Sequence, residues 1–318
     1  MLQKRLILFV WFTHLFGTHV SAELIDWLKK AEGKTSPHGM RNLDFIYMIN
    51  LDQRPEKFQQ ASGELAKYSI VPTRFSAVNG WELSLQAIND VGLKCDVGMA
   101  QLFATTYPLE LEGEPLHEYM SQIGRAYFVH GLAKGSIGCA LSHISVLKDA
   151  WDSNYETIWV LEDDITALQD PHIISDLIDK LDAIVGKENW DVLFTDQDYR
   201  LSEEKYLIAS GAAERPDIDC SVEFRYSPRF TEKVAVSPDF QKISARFATH
   251  SMIIRRSGIA KLLQWSLTHQ IFLPYDLENY LPPGINRYSL RYDVVSNALN
   301  AITDNAQPMY INQELDLP

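Results

Sequence analysis

Apolar residues along this chain fall into short runs that switch between two periods. Residues 44–51, Asp-Phe-Ile-Tyr-Met-Ile-Asn-Leu, form a nearly continuous apolar run of strand length, as expected for a strand buried on both faces. The run stops at Asp52-Gln53-Arg54-Pro55, where Asp52 can cap a helix and Pro55 suits its first turn. The helix predicted over 56–68 carries Phe58, Leu65 and Ala66 among polar residues. Residues 73–78 alternate enough for a second strand, closed by the turn signal Asn79-Gly80. Strand, helix and strand at this spacing predict a parallel βαβ unit.

Residues 82–131 have no clear period and hold Pro108 and Pro115 in an acidic setting, so they read as an irregular insertion with some helix. After the loop Gly135-Ser136-Ile137-Gly138, residues Ala140, Ile144, Leu147 and Trp151 recur at helical spacing and predict a helix with a buried face. A second apolar run, Thr157-Ile158-Trp159-Val160-Leu161, ends in Glu162-Asp163-Asp164 before Ile165. A helix over 171–185, a strand over 190–195, a strand over 247–254 and a helix through Leu262 and Trp265 follow. The stretch 201–244 is polar and carries no assignment, and the remainder is loop-rich, with Pro274, Pro282, Pro283 and Gly284. Alternating strands and helices predict an α/β fold with a mostly parallel central sheet.

Composition narrows this picture. The 318 residues are 46% hydrophobic, ample for a sizeable core, and the net charge of -13 excludes a general nucleic-acid binder. It does not exclude a phosphorylated substrate, because a divalent cation can supply local positive charge. The three cysteines, Cys95, Cys139 and Cys220, have neither zinc spacing nor the pairing of a disulfide framework, and Cys139 reads as a small core residue. At the start of the chain, Lys4 and Arg5 precede the apolar run from Leu6 to Phe12, and Val20-Ser21-Ala22 offers small residues. This is the layout of a secretory signal peptide over 1–22, with an uncleaved anchor as the alternative. An extension over 23–43 then leads into a domain over 44–318, with no stable membrane span beyond the N-terminal segment.

The acidic strand end carries the chemistry. Three adjacent carboxylates repel one another unless a cation or hydrogen bonds neutralise them, and ligands of open α/β sheets bind at the carboxyl ends of strands. On an extended chain residues two apart share a side, so Glu162 and Asp164 are the expected facing pair while Asp163, a further cofactor-binding candidate, points away. Their hard oxygens suit Mn²⁺ or Mg²⁺ bound jointly with a diphosphate; a plain helix cap is the competing explanation. Asn50 and Arg54 fall at the same sheet edge, where the Arg54 guanidinium could grip a phosphate or serve as an ordinary surface arginine. Asn79 and Gly80 border a nucleotide or form a plain turn. Gly135 to Gly138, with Ser136 among them, precede a helix start suited to a phosphate or simply make a tight turn. His143 contacts a ligand at this edge, or caps the helix or packs.

Taken together, these residues resemble family 25 glycosyltransferases, which include bacterial lipooligosaccharide and collagen galactosyltransferases. The resemblance runs through Phe45-Ile46-Tyr47-Met48-Ile49-Asn50-Leu51-Asp52-Gln53-Arg54-Pro55 and Phe75-Ser76-Ala77-Val78-Asn79-Gly80. It continues through Gly135 to His143, Val160-Leu161-Glu162-Asp163-Asp164, Thr249-His250-Ser251-Met252-Ile253-Ile254 and Leu273-Pro274-Tyr275-Asp276. Ser136 stands where the family often has Glu, and Asn79 where it has Asp. The resemblance implies a GT-A-like fold with a single Rossmann-type domain, and an inverting, metal-assisted transfer of a hexose, galactose foremost, from a UDP-sugar to a glycan or glycoprotein. An inverting transfer needs a base for the acceptor hydroxyl, for which Asp276 is preferred over Asp196 and Asp198. Two other readings remain: a nucleotidyltransferase, and a secreted carbohydrate-binding protein without catalysis on the same fold. A functional signal would put the enzyme in the secretory pathway or outside the cell; without one it would be cytoplasmic.

Overall fold

The computed structural model describes residues 22–34, 39–209, 214–218 and 231–313, so the predicted signal segment (apart from Ala22) and Cys220 lie outside the described residues. Eight strands form the central sheet: β1 (Phe45–Asn50), β2 (Thr73–Ser76), β3 (Thr157–Glu162), β4 (Val192–Phe194), β5 (Lys233–Ala235), β6 (Phe240–Ile243), β7 (Ser251–Arg255) and β8 (Arg287–Leu290). Their order is β5-β6-β8-β4-β7-β3-β1-β2. β1 is parallel to β2 and β3, and β8 to β4, whereas β7 runs antiparallel between β3 and β4. β6 is antiparallel to β8 and to β5, so every strand except β6 and β7 points one way. The expected α/β, Rossmann-like architecture is what the chain adopts.

Four helices cover the sheet: α1 (Pro55–Ala66), α2 (Lys134–Asp152), α3 (Ile173–Val185) and α4 (Arg256–His269). Alternation along β3 assigns them to faces. Ile158 and Val160 pack with Ile144 and Leu147 of α2 and Leu262 and Leu263 of α4. Trp159 and Leu161 pack with Leu65 of α1 and Leu177, Ile178 and Leu181 of α3. With apolar partners on both sides, the strand has no face left for charge until its last residue.

Three elements differ from the pattern-based expectation. Residues 82–131 are not an irregular insertion: a helix, Leu85–Val91, leads into a four-stranded antiparallel sheet of Leu93–Lys94, Ala126–Val129, Phe103–Thr106 and Leu116–Tyr119. The unassigned stretch 201–244 contributes β5 and β6, and the loop-rich remainder contributes β8. The glycines at 135 and 138 lie inside the first turn of α2 rather than in a loop before it. They are there for close approach. A Cβ on Gly138 would meet Gly80 N at 2.4 Å and Val78 O at 2.5 Å, and one on Gly80 would meet Lys134 O at 1.8 Å. The loop leaving β2 therefore packs backbone on backbone against the start of α2, with Ser142 Oγ accepting from Val78 N at 2.8 Å.

Gly138→Ala should cost about 1–3 kcal/mol, because backbone rather than a movable side chain opposes the methyl group. Gly63→Ala, on an exposed stretch of α1 with open space around it, should instead stabilise by about 0.5–1 kcal/mol. Denaturant melts of the two variants check the pair; equal midpoints would show that the glycine contact is not tight.

Candidate active site

β1 and β3 end side by side, with Ile49 opposite Glu162, so Asn50 and the acidic triplet meet at one sheet edge. Asn50 Nδ2 donates to Asp163 Oδ2 at 2.6 Å and to the Arg54 carbonyl at 2.8 Å, while its Oδ1 accepts from Arg74 Nε at 2.7 Å. Glu162 shares the α2 face with Val160, and there His143 Nε2 lies 3.0 Å from its Oε1, which also accepts from Thr249 Oγ1 at 2.8 Å. The His143 ring is stacked on Tyr275, with centroids 4.4 Å apart.

Two cavities meet at this triplet. The smaller, about 90 Å³, is bounded by Asn50, Lys57, Asn79, Gly80, Asp163 and His143. The larger, about 280 Å³, is bounded by Ser136, Tyr199, His250, Tyr275 and Asp276. Glu162, Asp164, Cys139, Thr303 and Asn305 line both, so the acids and the segment Thr303–Asn305 form the wall between them. Glu162 and Asp164 line both cavities, and Asp163 lines the smaller one beside them instead of facing away, because the strand ends at Glu162 and Asp163 and Asp164 form a turn.

The remaining sequence candidates separate. Asn79 Nδ2 donates to Glu82 Oε1 at 2.9 Å and its Oδ1 caps Trp81 N at 3.1 Å. Arg54 is buried, with Nε 3.0 Å from Asp304 Oδ2, an oxygen that lies 3.3 Å from Lys57 Nζ. Its charge is thus met by a carboxylate from the chain itself. Ser136 faces the larger cavity, apart from the other donor-side candidates. Asp276 also lines that cavity and accepts from Ala248 N at 3.0 Å and Leu277 N at 2.9 Å. Asp196 lines neither. It is fully buried and accepts from Arg246 Nη1 at 2.7 Å, His250 Nε2 at 2.6 Å and Ser296 Oγ at 2.7 Å. Three donors and full burial hold it away from both cavities. Asp198 is paired with Lys233 and likewise lines neither cavity.

Electrostatics divide the acids. Burial, then the neighbouring Glu162 charge, push Asp164 up to about 6. Burial works the same way on Glu162, but His143 and Thr249 outweigh it and hold that carboxyl below its ordinary value. Burial raises Asp276 as well, and its two backbone donors offset this only in part. Asp164 Oδ1 is buried without a hydrogen-bond partner. A buried carboxylate oxygen without a donor, beside a second carboxylate, fits a hard divalent cation better than it fits a helix cap. Cys139, His143 and Glu162 also offer ligand atoms within 4.8 Å of one another. Burial and the surrounding carboxylates, however, push the Cys139 thiol up and disfavour the thiolate a soft metal needs.

Sequence reasoning missed Lys57, Tyr199, His250 and Asp304. Asp304 lies more than 200 residues from its partners in the chain, and no local pattern marks it. Thr249-His250 does carry a signal, a polar pair directly before the apolar strand β7.

Comparison with known proteins identifies a family. The model of the family described as Glycosyltransferase family 25 (LPS biosynthesis protein) matches residues 43–277. A "Glycosyltransferase 25 family member" from Aedes aegypti is 27% identical over 199 residues, 62% of this chain and 28% of that protein. One from Drosophila melanogaster is 26% identical over 181 residues, 57% of this chain and 25% of that protein. A human relative named "Inactive glycosyltransferase 25 family member 3" is 25% identical over 122 residues, 38% of this chain and 16% of that protein. The aligned part of this chain thus spans about a quarter or less of these relatives' length. Among the described residues no helix is long and apolar enough to cross a membrane.

The raised Asp164 value has a definite sign. Its folded value of about 6 stands above an ordinary value of 3.8, so the ionised carboxylate costs stability above pH 6, and the cost fades as pH falls toward 4. With EDTA present, Asp164→Asn should melt higher than the parent at roughly pH 7.5, and the margin should shrink as pH drops below about 6. A margin that stays constant from acid to neutral pH would contradict the crowding.

Proposed function

The chain belongs to glycosyltransferase family 25, and from that membership we propose that it transfers a hexose, galactose foremost, from a UDP-sugar to a glycan or glycoprotein hydroxyl, with inversion and the help of Mn²⁺ or Mg²⁺. The observation that carries this reading is the meeting of two cavities at Glu162 and Asp164: a donor diphosphate on one side of the acids and an acceptor on the other suit a displacement at the boundary. Glu162 and Asp164 would hold the cation, and Asp163, fixed by Asn50, would line the donor side. The cation supplies charge neutralisation for the departing diphosphate.

On the acceptor side, Asp276 is the carboxylate that lines the larger cavity beyond the acidic triplet. Its raised value makes it a better base than an exposed aspartate. The acceptor hydroxyl would give its proton to Asp276 as its oxygen bonds to the sugar's anomeric carbon. The bond from that carbon to the diphosphate oxygen breaks on the opposite face, and its electron pair leaves with UDP, which inverts the centre. Asn79, Gly80 and Lys57 would border the nucleotide diphosphate.

A typical small-molecule site needs roughly 300 Å³ or more, well beyond the smaller cavity. On this reading, donor entry displaces Thr303–Asn305, and Arg54 and Lys57 exchange the Asp304 carboxylate for a phosphate of the same charge sign. The secretory lumen or an exported location remains the compartment we propose. One relative carries "Inactive" in its name, so turnover itself is the point to test.

Incubation of the full chain with a panel of UDP-sugars should release UDP with Mn²⁺ and a glycan acceptor, and EDTA should abolish it. Absence of release from every donor would overturn the reading. Asp276→Asn should keep UDP binding by calorimetry while transfer falls at least about 100-fold; unimpaired transfer would remove Asp276 as the base.

A further inference from the structure

The small antiparallel sheet carries a row of exposed rings that line neither cavity at the acidic triplet. Phe103 and Tyr119 face each other across the strand pair Phe103–Thr106 and Leu116–Tyr119, and they remain 44% and 64% exposed. Their rings meet edge to face, with centroids 5.3 Å apart. Phe103 meets His130 in the same way at 4.9 Å, and His130 meets His117 at 4.8 Å. Both histidines are exposed as well. Thr105 Oγ1 lies 3.0 Å from His117 Nδ1 and accepts from Gly131 N at 2.8 Å, which ties the last ring to the sheet. Four rings in an unbroken row are thus held at fixed tilts on the outside of the protein. Scattered surface apolar residues need no explanation, but a contiguous row does.

The row leads toward the active site. Phe103 lines a third cavity, about 410 Å³, with Val129, Phe272, Leu273 and Leu277, and Glu214 is the one charged residue among its described lining. Pro274 lines this cavity and also the larger cavity at the triplet, where Tyr275 and Asp276 follow it. The rings, the apolar cavity and the Asp276 cavity therefore adjoin in that order. An occupant of this path must present apolar faces and polar edges together. A pyranose does so: its C–H face packs on an aromatic face, whose negative quadrupole attracts the hydrogens, while its hydroxyl rim meets groups such as the Tyr119 hydroxyl and the imidazole nitrogens. Resting on the acceptor role proposed for the Asp276 cavity, we infer that the ring row and the apolar cavity form a carbohydrate-binding surface for the part of the acceptor distant from the reacting unit. The acceptor is then an oligosaccharide of several units. Its terminal unit places a hydroxyl at Asp276, and the preceding units follow the apolar cavity and stack on Phe103 and Tyr119.

Ligand-observed NMR titration of the full chain with galacto-, manno- and chito-oligosaccharides of one to six units tests the surface without turnover. Affinity for at least one series should rise at least about 10-fold from one unit to four. Phe103→Ala and Tyr119→Ala, both at exposed positions, should leave the melting temperature and UDP binding unchanged and remove that gain, and Phe103→Tyr should keep it. Ile184→Ala, at an exposed apolar position on α3, should keep it as well. Affinity independent of length in every series, or a gain that survives both ring truncations, overturns the surface and leaves the transferase reading standing. A glycopeptide that binds more tightly than its free glycan, through Phe103 and Tyr119, assigns the surface to polypeptide and also overturns the proposal. Length-dependent binding that requires the rings, in a chain that releases UDP from no donor, keeps the carbohydrate surface and removes the transferase reading.

Discussion

The site depends on one constraint: β3 is buried on both faces for five residues and then has to accommodate three acids. Thr157 to Leu161 are fully or almost fully shielded by helices above and below the sheet. Charge can begin only where the strand leaves the sandwich, and Glu162, Asp163 and Asp164 are the residues that stand there. Crowding follows from the fold and not from any attraction among the carboxylates. Each is handled differently: Glu162 by a histidine and a threonine hydroxyl, Asp163 by an asparagine, and Asp164 by nothing that the described chain supplies on its Oδ1.

That asymmetry gives the site its polarity. The hydrogen-bonded acids form the floor, and the oxygen without a partner belongs to Asp164, where two cavities share a wall. Buried cations elsewhere in the molecule do not relieve it, because they are committed: Arg246 to Asp196, Arg215 to Glu278 and Asp217, Arg255 to Asp182. In a chain with net charge -13, the acids at Glu162 and Asp164 thus crowd together at the boundary of two cavities.

Much of this was legible from residues. β1, α1, β3, α2 and α4 announced themselves because burial on two faces or on one stripe leaves a strong period. The sheet within 93–129 left no such trace: its strands are two to four residues long, and Leu116–Tyr119 alternates between half-buried and exposed positions. β8 escaped for another reason. Arg287 and Ser289 are buried within it, and Arg287 lies over the Tyr280 ring at 5.3 Å, so a central strand reads as polar. At the site, the acids and Asp276 were visible in the sequence, whereas Asp304 and the Asp196–His250 pairing exist only through chain closure. Asp196 shows the limit clearly: an aspartate after an apolar strand looks available until three donors are found around it.

The backbone contact between Gly80 and Gly138 bears on how the smaller cavity can respond to a ligand. It fastens two of that cavity's walls, the loop leaving β2 and the first turns of α2, into one stiff piece with no side chain between them to yield. The third wall, Thr303–Asn305, is held by the Asp304 ion pairs with Arg54 and Lys57, by the Trp81 indole donating to the Asp304 carbonyl, and by close backbone packing on Gly135. A group entering the smaller cavity would therefore meet two walls with no side chain to yield and a third that gives way only when an indole hydrogen bond is broken along with the ion pairs.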